Sequence, residues 1–310
     1  SAIALKNLSD KNIKTKEILT SKAFENAMIV HAACGGSTNL ILHLPAVAHA
    51  VKEKIMKVED WIRINKLTPR LVDVLPNGPK GFPTSVFFSA GGVPEVMLKL
   101  RNEGLLNLDV VTSTGLTLRE NLDWWEQSEK RDFVRKQLKD SRNIDPEDVI
   151  HSLKNSKKKN MTSTVTFPKG NIAPEGSVVK STAIDKTVID DDGVYRKIGP
   201  ARIFISEADA IKAVKDKGAN GVKAGDIMVI ACGGPKGTGM QEVAQITIAL
   251  KYLSYGKEVA LITDGRFSGV STGACIGHIG PEALDGGPIG KLKENDLIEI
   301  NIDTINLEGS

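Results

Sequence analysis

The sequence predicts an α/β protein: a partial α/β domain over residues 1–160, then a β-rich, barrel-like domain over residues 161–310 that contains a βαβ unit. Three observations predict it. Apolar residues recur at helical spacing through the first 160 residues, and the composition shifts at Asn155–Asn160 toward β-branched, alternating segments. Two continuous apolar runs, Ile227–Ala231 and Val259–Thr263, then flank a glycine-rich loop and a helical pattern.

The elements follow in order. Thr20 can cap a helix in which Phe24, Ala27, Met28 and His31 fall on one side, and Leu40–Val51 is apolar on nearly all sides, as a buried helix is. Between them Gly35-Gly36-Ser37-Thr38-Asn39 allows a tight turn, with Ser37 or Thr38 able to cap the next helix. A further helix is expected from Pro94, with Val96, Met97 and Leu100 inward, ending at Gly104. Val110–Thr112 reads as a short strand, and Thr117 with Glu120 forms a capping box for the next helix. Thr162–Phe167 and Ser177–Thr182 read as strands, and Ile298, Ile300 and Ile302 alternate with polar residues so that three isoleucines share a sheet face. The βαβ unit is expected to be right-handed with parallel strands. That topology brings the segments Gly233–Glu242 and Asp264–Gly273 to one sheet edge, where α/β proteins bind ligands.

Composition bounds the function. The 310 residues are 41% hydrophobic and 25% charged, and a net charge of +3 without a basic stripe gives no support to an electrostatic nucleic-acid surface. Lys157–Lys159 is expected to be a solvated loop. Three widely separated cysteines, Cys34, Cys232 and Cys275, argue against a disulfide framework and a self-contained zinc site and fit a cytoplasmic protein. The longest apolar stretch, Leu40–Val51, is interrupted by His43, Pro45 and His49, and no signal segment opens the chain, so no membrane association is expected. The first residue is Ser, which suggests a piece of a longer protein.

Several residue patterns could carry chemistry. The loop Gly233–Gly239 precedes a helical pattern, so its backbone N–H groups could hold a carboxylate or phosphate, or it could simply start a helix through the Thr238–Gln241 capping box. Glu242 is expected in the first helical turn, where the helix dipole favours an acid, and it could also be a Mg²⁺ ligand. Asp264–Gly269 and Ser271–Gly273 form a second loop; Ser268 there is either a turn residue or a group projecting into the crevice. No Gly-x-Ser-x-Gly elbow surrounds Ser268, and His278 reads as a packed residue, so a hydrolase triad has no support. The Gly35–Asn39 turn is a second possible anion site.

Taken in order, several stretches resemble the dihydroxy-acid and phosphogluconate dehydratase family from about Ser21 onward: Gly35-Gly36-Ser37-Thr38-Asn39, Gly91-Gly92-Val93-Pro94, Gly170–Gly176, Gly199-Pro200-Ala201-Arg202, Gly234-Pro235-Lys236-Gly237, Thr263–Gly269 and Gly277–Ala283. Arg70–Pro79 and Thr162–Pro168 resemble the sugar-acid branch that acts on xylonate. The resemblance implies a hydro-lyase that removes water from a 2,3-dihydroxy acid to give a 2-keto-3-deoxy acid, using Mg²⁺ and an iron–sulfur cluster as Lewis acid. It implies that Ser268 is the base, acting as an alkoxide, that Glu242 is a Mg²⁺ ligand, and that Arg266, Ser37 and Thr38 bind substrate. Family cluster cysteines and the other Mg²⁺ ligands precede the Gly-Gly-Ser-Thr-Asn motif, and none of Cys34, Cys232 or Cys275 matches them. The chain is thus expected to be the C-terminal half alone, inactive without a missing N-terminal region and prone to form homo-oligomers. Two alternatives remain: a non-catalytic module binding carboxylate or phosphate through its glycine loops, and a subunit supplying half an active site.

Overall fold

A computed structural model describes residues 2–267 and 273–310, which fall into two compact units, 1–163 and 164–310. Residues 268–272, and with them Ser268, lie outside the described residues.

The first unit is helical. Its helices are α1 (Ala2–Asp10), α2 (Thr15–Ile18), α3 (Ser21–Cys34), α4 (Asn39–Ala50), α5 (Val58–Leu67), α6 (Thr84–Ser89), α7 (Gly92–Asn102), α8 (Leu118–Glu126), α9 (Glu129–Arg142), α10 (Pro146–Val149) and α11 (Leu153–Lys158). The expected caps are present: Thr20 Oγ1 accepts the Ala23 N–H at 3.3 Å, and Thr117 and Glu120 satisfy each other's backbone N–H groups at 3.2 and 2.7 Å. α3 packs against α5 and α7, and Phe24, Met28, Trp61, Ile64, Val96 and Leu100 of these helices are all buried. Two expectations are corrected. The apolar α4 buries only Ala48 of its twelve residues, and Val110–Thr112 makes a single bridge, Val111 to Thr117, rather than a strand.

One buried ion cluster ties α7 to α8 and α9. Glu95, 2% exposed, accepts from Trp125 Nε1 at 3.2 Å and from Arg131 Nε and Nη2 at 2.8 and 3.0 Å, with Arg135 Nη1 at 3.3 Å. Burial opposes the charge on Glu95, but the Arg131 hydrogen bond and the Arg135 and Arg131 charges outweigh it, holding the carboxyl below its usual range.

The second unit is a curled, mixed sheet of seven strands in the order β1-β7-β5-β3-β2-β8-β9. These are β1 (Gly176–Val179), β2 (Val194–Phe204), β3 (Ile227–Ile230), a separate pair β4 (Glu242–Val243) and β6 (Arg266–Phe267), β5 (Ala260–Thr263), β7 (Cys275–Gly280), β8 (Leu297–Asp303) and β9 (Glu308–Gly309). β2, β3, β5 and β7 run parallel, and β1, β8 and β9 join antiparallel. The central parallel strands β3 and β5 are buried along their whole length, which their unbroken apolar letters require. Ile227, Val229 and Ile262 face a core shared with Ile298, Ile300 and Ile302, while Met228, Ile230 and Leu261 pack under the helices α12 (Glu207–Lys215) and α14 (Ala244–Lys251). The Thr162–Phe167 pattern forms only a bridge, Thr166 to Val179. Just beyond that segment, which pairs with β1 at Thr166, the Lys169 N–H donates to Gly309 O of β9 at 3.1 Å, so this stretch of chain meets both edge strands of the sheet.

Candidate functional site

The site in the second unit begins at the C-terminal ends of β3 and β5. Both strands are parallel, so the segments leaving them, 231–242 and 264–267, start from the same sheet edge. Asp264, 1% exposed, locks them together there. Its Oδ1 accepts the Gly233 N–H at 2.8 Å, and its Oδ2 accepts the N–H groups of Cys232 at 3.2 Å and Ala283 at 2.8 Å. Three chain segments therefore hang on one carboxylate.

The Gly233–Gly239 loop is occupied by the chain itself. Glu282 places both carboxylate oxygens on the Lys236 N–H, at 2.9 and 3.0 Å, at the start of the short helix α13 (Pro235–Thr238). A side chain at Gly234 would collide with that carboxylate. Thr238 Oγ1 donates to Gly233 O at 2.8 Å and accepts the Gln241 N–H at 2.9 Å. A loop already holding its own acid is a poor receiver for a foreign one, and the reading of this segment as an anion-binding module is not favoured.

Glu242 is not in a helical turn, as its spacing suggested. Gly239 and Met240 both adopt positive φ, 68° and 70°, which ends α13 and turns the chain outward before α14 begins at Ala244. Glu242 and Val243 become β4, running parallel to β6 with Glu242 in register with Arg266 and Val243 with Phe267. The pairing brings two of the sequence-selected residues onto adjacent strands. Arg266 N–H donates to Gln241 O at 2.8 Å, and its Nε donates to Met240 O at 2.7 Å, which fixes the direction of the guanidinium stem. Behind β6, the His278 N–H donates to Gly265 O at 2.9 Å and its ring meets Phe267 edge-on at 6.3 Å. His278 is thus a packing residue for β6.

Cofactor chemistry can be tested against these side chains. Among the described residues, no group of three or more His, Cys, Asp and Glu side chains is arranged to hold a metal ion. Burial pushes Cys34 up to about 12 and also raises Cys275; burial, then the Asp264 and Glu282 charges, push Cys232 up. Iron–sulfur ligation requires thiolates. Among the described residues none of the three belongs to a group that could hold a metal, so these cysteines do not fit a cluster. Glu242 supplies one hard oxygen donor of the several that Mg²⁺ takes, so it fits as one ligand of a larger set.

The other candidate residues lie in the first unit, in the turn between α3 and α4. Gly35 closes α3 with φ 63°, and Gly36 N–H returns to His31 O at 2.9 Å. Ser37 is exposed and its Oγ accepts the Asn39 N–H at 3.3 Å, whereas Thr38 is 5% exposed and makes no side-chain cap. His31 Nε2 lies 2.8 Å from Ser37 O, and Asn77 Nδ2 donates to Gly35 O at 3.0 Å.

Asp264, Glu282, His31 and Asn77 had no functional weight in the sequence. Only Asp264 left a signal there: an acid placed directly after a buried apolar strand and before a glycine.

Comparison with known proteins adds the family. Residues 1–121 match the model of the dihydroxy-acid/6-phosphogluconate dehydratase N-terminal domain, and residues 148–309 match that of the C-terminal domain. The chain is 62% identical over 310 residues to the D-xylonate dehydratase YjhG of Escherichia coli, covering all of this chain and 47% of that protein. It is 58% identical over 310 residues to the D-xylonate dehydratase YagF of the same organism, again covering 47% of it. A dihydroxy-acid dehydratase of Picrophilus torridus is 40% identical over 299 residues, 96% of this chain and 49% of that protein. The chain thus spans about half the length of these relatives. The match to both models corrects the expectation of a C-terminal half alone, and it gives no support to a missing N-terminal region as a partner.

Proposed function

We propose, from the premise that this chain belongs to the dihydroxy-acid/6-phosphogluconate dehydratase family, that it carries part of the active site of a sugar-acid dehydratase acting on a xylonate-like 2,3-dihydroxy acid. The observation that carries the reading is the β4–β6 pair, which sets Glu242 in register with Arg266 at the edge where the parallel strands end. The similarity to two D-xylonate dehydratases supports the substrate class.

In this reaction a C2 proton is removed, hydroxide leaves C3, and the resulting enol becomes a 2-keto-3-deoxy acid. Glu242 would be one oxygen ligand of Mg²⁺, which when bound steadies the substrate carboxylate and the charge that develops beside it. Arg266, anchored through Nε on Met240 O, would orient the acid by charge-assisted hydrogen bonds. Ser268, two residues beyond Arg266, is the proposed base; a serine hydroxyl is a weak base in water, so the role requires nearby positive charge to favour the alkoxide. Ser37 and Thr38 are proposed to bind the substrate's polar groups.

The described residues gather no cluster-binding set, so the iron–sulfur cluster assigned to the family needs ligands from elsewhere in the working enzyme, and no step here is routed through it. The isolated chain is accordingly proposed to be inactive. Cytoplasmic placement and homo-oligomer formation belong to the same proposal, the first supported by three free thiols and the second by exposed aromatic residues such as Phe88 and Trp124.

The test is a chimera. These 310 residues would replace the matching segment of one of the E. coli relatives, with keto acid measured from D-xylonate. Activity of the chimera, with none from the chain alone, is expected. A folded chimera that binds its metals and leaves xylonate untouched would refute the reading.

A further inference from the structure

We infer that His151 is a proton-operated switch within the first unit: its neutral ring holds Lys159, and its protonated ring releases Lys159 and takes Asp73 instead. The surroundings of one nitrogen carry the argument. His151 and Asp73 are each 1% exposed, and their chain segments are paired through the His151 N–H on Leu71 O at 2.8 Å and the Asp73 N–H on Val149 O at 2.9 Å. His151 Nε2 lies 3.3 Å from Lys159 Nζ and 3.6 Å from Asp73 Oδ2. An ammonium only donates and a carboxylate only accepts, so a single ring nitrogen cannot serve both at once.

The ring's other hydrogen bond decides which partner it keeps at neutral pH. That bond goes to the Glu147 carbonyl, which can only accept, so the proton of the neutral ring sits on Nδ1 and Nε2 is bare. Nε2 then accepts from Lys159. Asp73 Oδ1 accepts the Lys80 N–H at 3.0 Å, but its buried Oδ2 has no hydrogen bond among the described residues. A buried oxygen without a donor is costly, and a proton on Nε2 would supply the donor it lacks. Other charges stand around the pair. The buried Arg70 guanidinium interacts with the Asp73 charge, Asp148 faces the ring while paired with Lys80 at 2.9 Å, and Glu147 is engaged by Lys99 and Arg135 at 2.6 Å each. Burial, then the Lys159 charge, hold His151 below the usual histidine range against the pull of Asp73. The switch therefore operates on the acid side of about pH 6.5. The sign for stability follows: the contribution of the neutral ring is fully present above the unfolded value and is lost as pH falls through the lower folded one.

Histidine-selective ¹⁵N NMR through the acid range tests this on the unaltered chain and on Lys159→Met, Asp73→Asn and His151→Gln. At neutral pH the His151 ring should carry its proton on Nδ1, and it should gain a second on acidification with the fold intact. The midpoint should rise in Lys159→Met, which removes the opposing charge, and fall in Asp73→Asn, which removes the accepting one. Hydrogen–deuterium exchange over residues 73–80, corrected for the intrinsic effect of pH, should slow about tenfold as the ring is protonated. Neither Asp73→Asn nor His151→Gln should show that change. A neutral ring with its proton on Nε2, or a midpoint that moves in neither charge variant, would overturn the inference. Unfolding of the first unit before the second proton arrives would overturn it too, as would exchange at residues 73–80 that does not alter through the transition.

Discussion

Two glycine-rich turns of this protein look alike in sequence and differ in what they can receive. Gly233–Gly239 and Gly35–Asn39 each place small residues before a helix, and each could present backbone N–H groups to an anion. The first is filled from within: Glu282 lies on the Lys236 N–H and against Gly234, and Asp264 takes the Cys232 and Gly233 N–H groups. The second is held through its carbonyls, by the side chains of His31 and Asn77, and Ser37 is on the surface. The difference teaches that a glycine turn becomes a receptor or a strut according to a distant side chain. If carboxylates occupy its donors, it is a strut; if donors occupy its acceptors, it can still give hydrogen bonds.

The comparison can be strained most severely at Glu95, because α7 packs against α3, the helix that ends in the receptive turn. Glu95→Ala should cost the first unit about 3–5 kcal/mol, since it leaves Arg131 and Arg135 without their buried partner; urea unfolding followed by Trp fluorescence measures it. The same group predicts a pH dependence. Its folded pKa is depressed, so its contribution is fully present above the unfolded value near 4.3 and is lost as pH falls through the lower folded value. Acid unfolding of the first unit should therefore lose this component in Glu95→Gln.

Next comes the strut. Asp264→Ala removes the acceptor for three backbone N–H groups and should destabilise the second unit by about 2–4 kcal/mol, read by denaturant titration. Glu282→Ala should cost about 1–2 kcal/mol, because only the Lys236 N–H loses its partner and water can reach the loop. Equal costs for the two would mean that Asp264 is not the junction described. The smallest stability effect belongs to Glu242→Gln, half-buried on a two-residue strand, for which a change below about 0.5 kcal/mol is expected in thermal unfolding. Its consequence should fall on metal-dependent function instead.

Much of the second unit was legible because its periodicity is unambiguous. Ile298, Ile300 and Ile302 alternate along β8 and are 3%, 3% and 0% exposed, and the runs at Ile227 and Val259 gave the parallel pair β3 and β5. Thr20 and Thr117 were legible as caps because capping is local, confined to three residues. The site was less legible, because its geometry depends on backbone conformation and on contacts remote in sequence. Met240, with φ 70°, carries no letter that announces a left-handed residue, so Glu242 was expected in a helix and stands on a strand. Glu282 fills a loop 46 positions away from it. The apolar α4 misled for a simpler reason: uniform hydrophobicity has no phase, and Ala48 alone among the twelve residues of α4 is buried. Arg266 shows the opposite case, a residue selected by its motif that the structure places in register with Glu242.

The central claim is that Glu242, set beside Arg266 by the β4–β6 pair, is a metal ligand of a sugar-acid dehydratase. Its most direct test is the Mg²⁺ dependence of xylonate dehydration by the chimera, compared with the same chimera carrying Glu242→Gln. The account predicts a loss of at least about 100-fold in kcat with unchanged thermal stability. A Glu242→Gln chimera that turns over xylonate at the parental rate and the parental Mg²⁺ requirement would contradict it.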